Sequence, residues 1–186
     1  EWNDANNALV GKGLSVVTLC YLRRYVAFCK QLFTQSNLDS VPLSVEVQQH
    51  FAHTSAILTR YLPILKGSFS DEQRYSLMEN LGLAGSEFRW NFYRGGLSGA
   101  SIAVDVSEIL SFLDLALAFI EHSLRANKRR DDLYHSYNIL HVKPGNASIG
   151  RLYEMLEGQV AVLSSGLLNA DESLALLHSP RNSALF

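Results

Sequence analysis

The sequence predicts an all-α chain built from successive antiparallel αα-hairpins. Three observations predict it: apolar residues recur at three- and four-residue steps over long stretches, two capping boxes open helical runs, and turn-rich breaks separate the runs. No segment reads as a convincing strand.

Over residues 14–33, Val17, Leu19, Cys20, Tyr21, Leu22, Tyr25, Val26, Phe28, Leu32 and Phe33 form a wide apolar stripe at helical spacing. Its polar residues, chiefly Arg23, Arg24, Lys30 and Gln31, are too few to cover a solvent face, so this helix is expected to be nearly all buried between two neighbours. Asn37-Leu38-Asp39-Ser40-Val41-Pro42 is a turn-rich break, and a second amphipathic run from about Ser44 to residues 63–67 completes a hairpin. Ser70-Asp71-Glu72-Gln73 reads as a capping box opening a third helix through Leu77, Met78 and Leu81, which Gly82 and Gly85 are expected to weaken or divide. After the glycine-rich loop 95–99, Val106, Ile109, Leu110, Leu113, Leu117, Ile120 and Leu124 mark the clearest helix. Residues 127–150 lack clear periodicity, contain Pro144-Gly145 and read as a long loop of the kind that often carries function. A shorter helix over 149–165 closes at Gly166, and the capping box Asn169-Ala170-Asp171-Glu172 opens a last one through Leu177. Six helices in three hairpins result.

A length of 186 residues with 47% apolar content suits a single domain with a substantial core. Sixteen Lys and Arg against eighteen Asp and Glu give a net charge of −2, which excludes a basic surface for nucleic acid. The one dense basic stretch, Lys128-Arg129-Arg130, is followed at once by Asp131-Asp132 and reads as a solvated helix end. Cys20 and Cys29 stand nine positions apart in one helix, roughly 13 Å along its axis, so they cannot pair; this favours a reducing, cytoplasmic compartment. Arg23, Arg24 and Lys30 interrupt the most apolar stretch, so no membrane span is expected. The chain opens on Glu1 and stops on Leu185-Phe186, which reads as a piece cut at both ends.

Trp2-Asn3-Asp4-Ala5-Asn6-Asn7 gathers a large aromatic face, a carboxylic acid and three amides before the first helix. An indole face packs on the C–H side of a pyranose, amides bond hydroxyls, and an acid near an indole is partly desolvated. The same residues also suit a helix cap, with Asn6 or Asn7 capping and Trp2 filling an apolar gap.

Glu1-Trp2-Asn3-Asp4-Ala5 resembles the Asp-Trp-Asn-Asp-Gly loop of cellobiose and chitobiose phosphorylases and the related six-hairpin glycosidases, with Glu1 in place of Asp and Ala5 in place of Gly. The resemblance implies a partial (α/α)6 barrel, with residues 1–186 as a single catalytic-domain fragment of about half its six hairpins. It also implies inverting cleavage of a glycosidic bond by hydrolysis or phosphorolysis, with Asp4 as the general acid and Trp2 and Asn3 in the sugar site. The expected substrate is a disaccharide or oligosaccharide, no cofactor is expected, and inorganic phosphate is the candidate co-substrate. Half a barrel would also leave hairpin faces exposed for self-association.

Inverting hydrolysis needs a carboxylate base to activate water, about 6.5–9.5 Å from the acid. Glu154 and Glu157 are the candidates, and Glu157 is preferred because Gly158 would let a ligand approach the backbone while Gln159 adds a hydrogen-bonding group. Tyr134-His135-Ser136-Tyr137 suits a ligand surface, with Tyr134, His135 and Tyr137 as candidate sugar contacts, or equally a self-packed loop anchored by its tyrosines. Arg94, beside Trp90 and Tyr93, is a candidate for an anionic group such as phosphate, or else part of an apolar helix end. His135 and His141 with Asp131 or Asp132 match no established metal-ligand spacing, so no metal is expected. The other reading the sequence allows is a non-catalytic helical protein that binds a partner protein or a glycan.

Overall fold

The computed structural model of the chain describes residues 10–185. The expectation of an all-α chain fails there. Helices dominate, but five strands in two antiparallel sheets accompany them, so the fold is mixed and the partial (α/α)6 barrel of stacked helical hairpins falls with the all-α class. Contacts divide the chain into two units, Glu1–Tyr25 with Ile120–Phe186, and Val26–Phe119. No helix among the described residues is long and apolar enough to cross a membrane.

The first unit holds a three-stranded sheet of β1 (Gly13–Ser15), β4 (Tyr137–Lys143) and β5 (Asn146–Arg151), in the order β1-β4-β5. The stretch expected to be a loop is mostly this β4–β5 hairpin. Lys143 faces Asn146, leaving Pro144-Gly145 as a two-residue turn, and Gly145 takes a positive φ of 73°. Proline at the first turn position and glycine at a positive-φ second position suit a type II turn. Strand β5 also takes residues 146–151 away from the helix expected to start near Ile149, so α5 is only Leu156–Ser164.

In the second unit β2 (Ser40–Ser44) pairs with β3 (Ser101–Asp105), from Ser40↔Asp105 to Ser44↔Ser101. Pro42 is tolerated because each strand of a two-stranded sheet has one unpaired edge. The break expected around residues 37–42 is thus largely strand.

Three strands run without a loop into helices: β1 into α1 (Val16–Gln35), β2 into α2 (Val45–Tyr61) and β3 into α4 (Val106–Arg125). A helix begins with amide donors that have no partner inside it. Here Val16 N–H donates to the Ser136 carbonyl at 2.9 Å, Val45 N–H to Ala100 at 3.2 Å and Val106 N–H to Asp39 at 2.9 Å. The neighbouring chain therefore takes up the first orphan donor of each helix.

Helix α3 (Asp71–Gly95) starts at the Ser70 capping box, with both reciprocal bonds formed, and runs unbroken past Gly82 and Gly85. A Cβ at either glycine would meet nothing within 4 Å, so no close approach requires them. Each costs roughly 1 kcal/mol of helix propensity, which packing offsets: Leu77, Leu81 and Ala84 share a core with Ile57, Tyr61, Ile64 and Phe119. The Tyr61 hydroxyl bonds Ser76 Oγ at 2.5 Å and accepts from Asn80 Nδ2 at 3.2 Å, which satisfies the polar end of a buried ring.

In the first unit the last helix, α6 (Ala170–His178), begins at the Asn169 capping box, again with both bonds formed. Glu172 serves that box and also takes Arg125 Nη1 at 2.7 Å. Arg23 grips Glu121 Oε1 through Nε and Nη2 and donates Nη1 to the Ser165 carbonyl at 2.7 Å, fixing the end of α5. Gly166 follows at a φ of +77°, and a Cβ there would lie 2.9 Å from Arg23 Nη1. The first helix departs from expectation in one respect. Val16, Val17, Cys20 and Val26 are buried, but Tyr21, Leu22, Phe28 and Leu32 on its other side are exposed, so it is not sheltered on two sides.

Candidate functional site

The connection between α4 and β4 holds the densest buried polar network of the first unit. Asn127, just past α4, donates Nδ2 to the Ser123 carbonyl at 2.8 Å, accepts Asn138 Nδ2 on Oδ1 at 2.8 Å, and accepts Arg151 on the same oxygen. Arg151 also donates to Asn138 Oδ1 at 3.1 Å and to the Ala126 carbonyl at 3.2 Å. A guanidinium can hold three acceptors from one plane, which ties β4, β5 and the end of α4 together.

Gln159, only 2% exposed, is spent on the same connection. Its Oε1 accepts the Tyr134 N–H at 2.8 Å, and its Nε2 donates to the Tyr134 carbonyl at 2.8 Å and to the Met155 carbonyl at 2.9 Å. Both amide hydrogens are therefore used inside the protein. Tyr134 and Tyr137 are likewise buried, their rings turned into the core. Of the two readings of this segment, the self-packed one describes Tyr134, Tyr137 and Gln159 as they stand.

Ser136 is wholly buried, accepts the Gly158 N–H at 3.0 Å and donates to the Met155 carbonyl at 3.1 Å. A Cβ on Gly158 would lie 2.9 Å from Ser136 Cα and Cβ and closer still to its Oγ. The space beside Gly158, which the sequence offered to a ligand, is filled by Ser136. Glycine is needed here for the close approach of the protein's own chain.

His135 N–H donates to the Asn127 carbonyl at 3.0 Å, while its ring nitrogen Nδ1 is buried without a hydrogen-bond partner. Burial lowers its pKa below the ordinary imidazole value, with the nearby Arg151 and Arg129 adding to the shift and the Leu152 backbone and Asp131 opposing it. The ring is held neutral. Asp131 accepts Arg129 Nη2 at 2.8 Å and the Leu133 N–H at 3.3 Å, and the bond from Arg129 holds its carboxyl below the usual range. Asp132, at a φ of 61°, pairs with Lys128 at 2.7 Å. Both carboxylates considered with His135 for a metal are thus already turned to cations.

Of the two candidate bases, Glu154 lies 3.5 Å from Arg129 Nη1 and is half-buried. Glu157 is exposed in the first turn of α5 and makes no hydrogen bond or ion pair among the described residues. Residues two apart on a helix point to different sides, so Glu157 faces solvent while Gln159 faces inward. Arg94 belongs to the second unit, in the last turn of α3, with its guanidinium 5.7 Å from the Trp90 ring and the Trp90 and Tyr93 rings edge to face at 6.1 Å.

The first unit therefore gathers Tyr134, His135, Tyr137, Glu157 and Gln159 around one connection, while Arg94 lies in the other unit. Trp2, Asn3 and Asp4 lie outside the described residues. Sequence reading passed over Asn127, Ser136, Asn138 and Arg151, which organise this connection. Their signal is faint: asparagines set among apolar residues, and an arginine at the end of an alternating run. No protein-family model matches the chain, and no curated protein matches it.

Proposed function

We propose that the chain is part of a carbohydrate-active enzyme that cleaves a glycosidic bond with inversion, with Asp4 as general acid. The observation that carries this reading is the Trp2-Asn3-Asp4 sequence and its resemblance to the acid loop of the cellobiose- and chitobiose-phosphorylase type. It no longer leans on a barrel of helical hairpins. Two features of the fold support it. The chain leaving the motif is anchored beside the His135 connection, since Leu140 N–H donates to the Lys12 carbonyl at 2.8 Å and β1 pairs with β4. Glu157 is an exposed carboxylate with no cation neutralising it among the described residues.

In the proposed reaction Asp4 gives its proton to the glycosidic oxygen as the bond to the anomeric carbon breaks. In hydrolysis Glu157 takes a proton from water as its oxygen attacks the opposite face; in phosphorolysis a phosphate oxygen attacks directly and no base is needed. Trp2 and Asn3 would hold the sugar by stacking and hydrogen bonding. A cytoplasmic site of action fits the free Cys20 and Cys29.

The test is turnover of a disaccharide panel with and without inorganic phosphate, comparing the native chain with Asp4→Asn and Glu157→Gln. Asp4→Asn is expected to lower the rate about 10²- to 10⁴-fold while sugar binding persists. A Glu157→Gln loss confined to phosphate-independent turnover would assign hydrolysis. Turnover that survives Asp4→Asn sinks the proposal. A second reading, a non-catalytic chain that binds a partner protein or a glycan, draws on Trp90, Phe92 and Tyr93, all exposed beside Arg94. A glycan bound without any turnover, unaffected by Asp4→Asn, would favour it.

A further inference from the structure

Helix α1 is apolar around most of its circumference, and such a helix is ordinarily buried on all sides. Only one side is. On the other, Tyr21, Leu22, Phe28 and Leu32 are 54%, 45%, 60% and 55% exposed, and Tyr25 on the same line is 64% exposed. Positions 21, 25, 28 and 32 step by four, three and four, the spacing at which a helix presents a seam to another helix.

The seam carries almost no charge. Arg23 is committed to Glu121 and the Ser165 carbonyl, and Lys30 is paired with Asp114, which leaves Arg24 as the only charged residue flanking it between Thr18 and Gln35. A partner chosen by charge would find little to recognise. A two-fold contact instead sets a surface against its own copy, and it is penalised mainly by like charges, which are nearly absent here. Three aromatic rings and two leucines, each about half exposed or more, leave on the order of 600 Å² of apolar surface. Two copies together would bury about 1,200 Å², the lower bound of specific, stable interfaces.

We propose that this face of α1 pairs with the same face of a second copy, making the chain a dimer through a two-helix seam. The seam stands on observations separate from those behind the glycosidase reading, and either can fail alone.

Sedimentation velocity of the native chain from low-micromolar to submillimolar concentration tests it, alongside Phe28→Glu and Leu32→Glu. Leu174→Glu, at an exposed position on α6, serves as the control, and circular dichroism checks each fold. A dimer is expected whose dissociation constant rises at least about thirtyfold in either seam variant and stays put in the control. In the native chain, alkylation of Cys29, which flanks the seam, should slow as concentration rises; this arm needs no variant and decides the matter should both seam variants fail to fold. A chain that stays monomeric throughout overturns the proposal. So does a dimer indifferent to both folded seam variants, or Cys29 reactivity independent of concentration.

Discussion

Replacing Gly158 by alanine adds one methyl group to the first turns of α5, where helix propensity alone would reward it by up to about 1 kcal/mol. The surroundings reverse that sign. The new Cβ would stand 2.9 Å from Cα and Cβ of Ser136, a residue with no exposed surface and fixed by two side-chain hydrogen bonds. Either α5 moves off the chain entering β4, or Ser136 shifts and gives up its bonds to Gly158 and Met155. Overpacking of this kind costs about 1–3 kcal/mol, and a buried hydrogen bond contributes about 1 kcal/mol. A net loss of about 3 kcal/mol is expected, read as a lower urea midpoint at unchanged slope. Combining it with Ser136→Gly removes the Cβ and Oγ that the methyl strikes, so the double variant should lose at least about 1 kcal/mol less than the sum of the singles. A Gly158→Ala chain as stable as the native one would refute the argument, because it would mean that Ser136 does not fill that space.

Gln159→Leu keeps the volume but strands the Tyr134 amide and the Tyr134 and Met155 carbonyls; a loss of about 2–5 kcal/mol in urea unfolding is expected, and one under about 1 kcal/mol would contradict the bonding described. His135 has a lower pKa folded than unfolded, so the unfolded chain binds the extra proton first and stability should fall as pH drops below the ordinary imidazole value of 6.5. Urea midpoints across that window should show a steeper acid loss in the native chain than in His135→Gln, and parallel curves would count against a buried neutral ring. Burial pushes the Cys20 thiol up to about 11 from an ordinary 9.0, which cuts its thiolate about a hundredfold near neutral pH. Iodoacetamide with mass spectrometry should therefore find Cys29 modified and Cys20 spared until the chain is unfolded.

Helix signals were legible where they rest on local chemistry. The Ser70 and Asn169 boxes form both of their reciprocal bonds, and the apolar steps through Val106 to Leu124 become a helix of Val106–Arg125. Strands escaped notice for a physical reason. They span three to seven residues, three of them flow straight into helices, and an alternating run that short is absorbed by the helical period beside it. The β4–β5 hairpin did leave a signal, Pro144-Gly145 between Ile139, Val142 and Ile149, but a missing helical period was read as a missing structure. At the site, residue type was readable and direction was not. Gln159 and Glu157 look alike in sequence as polar neighbours of Gly158, yet one is turned inward to three backbone groups and the other outward. Only the packing of α5 against the Tyr134 connection separates them.

The strand-to-helix junctions impose an order of events on the second unit. Val45 and Val106 each pass their first helical amide to the other side of the β2–β3 ladder, so neither helix start is sealed until strands from opposite ends of the unit's chain have met. Local helix formation is fast, whereas closing so long a loop is slow because its entropy must be spent before the ladder returns anything. The helices would then flicker from their leading turns during refolding, and the two valine amides would gain protection together, in the last step.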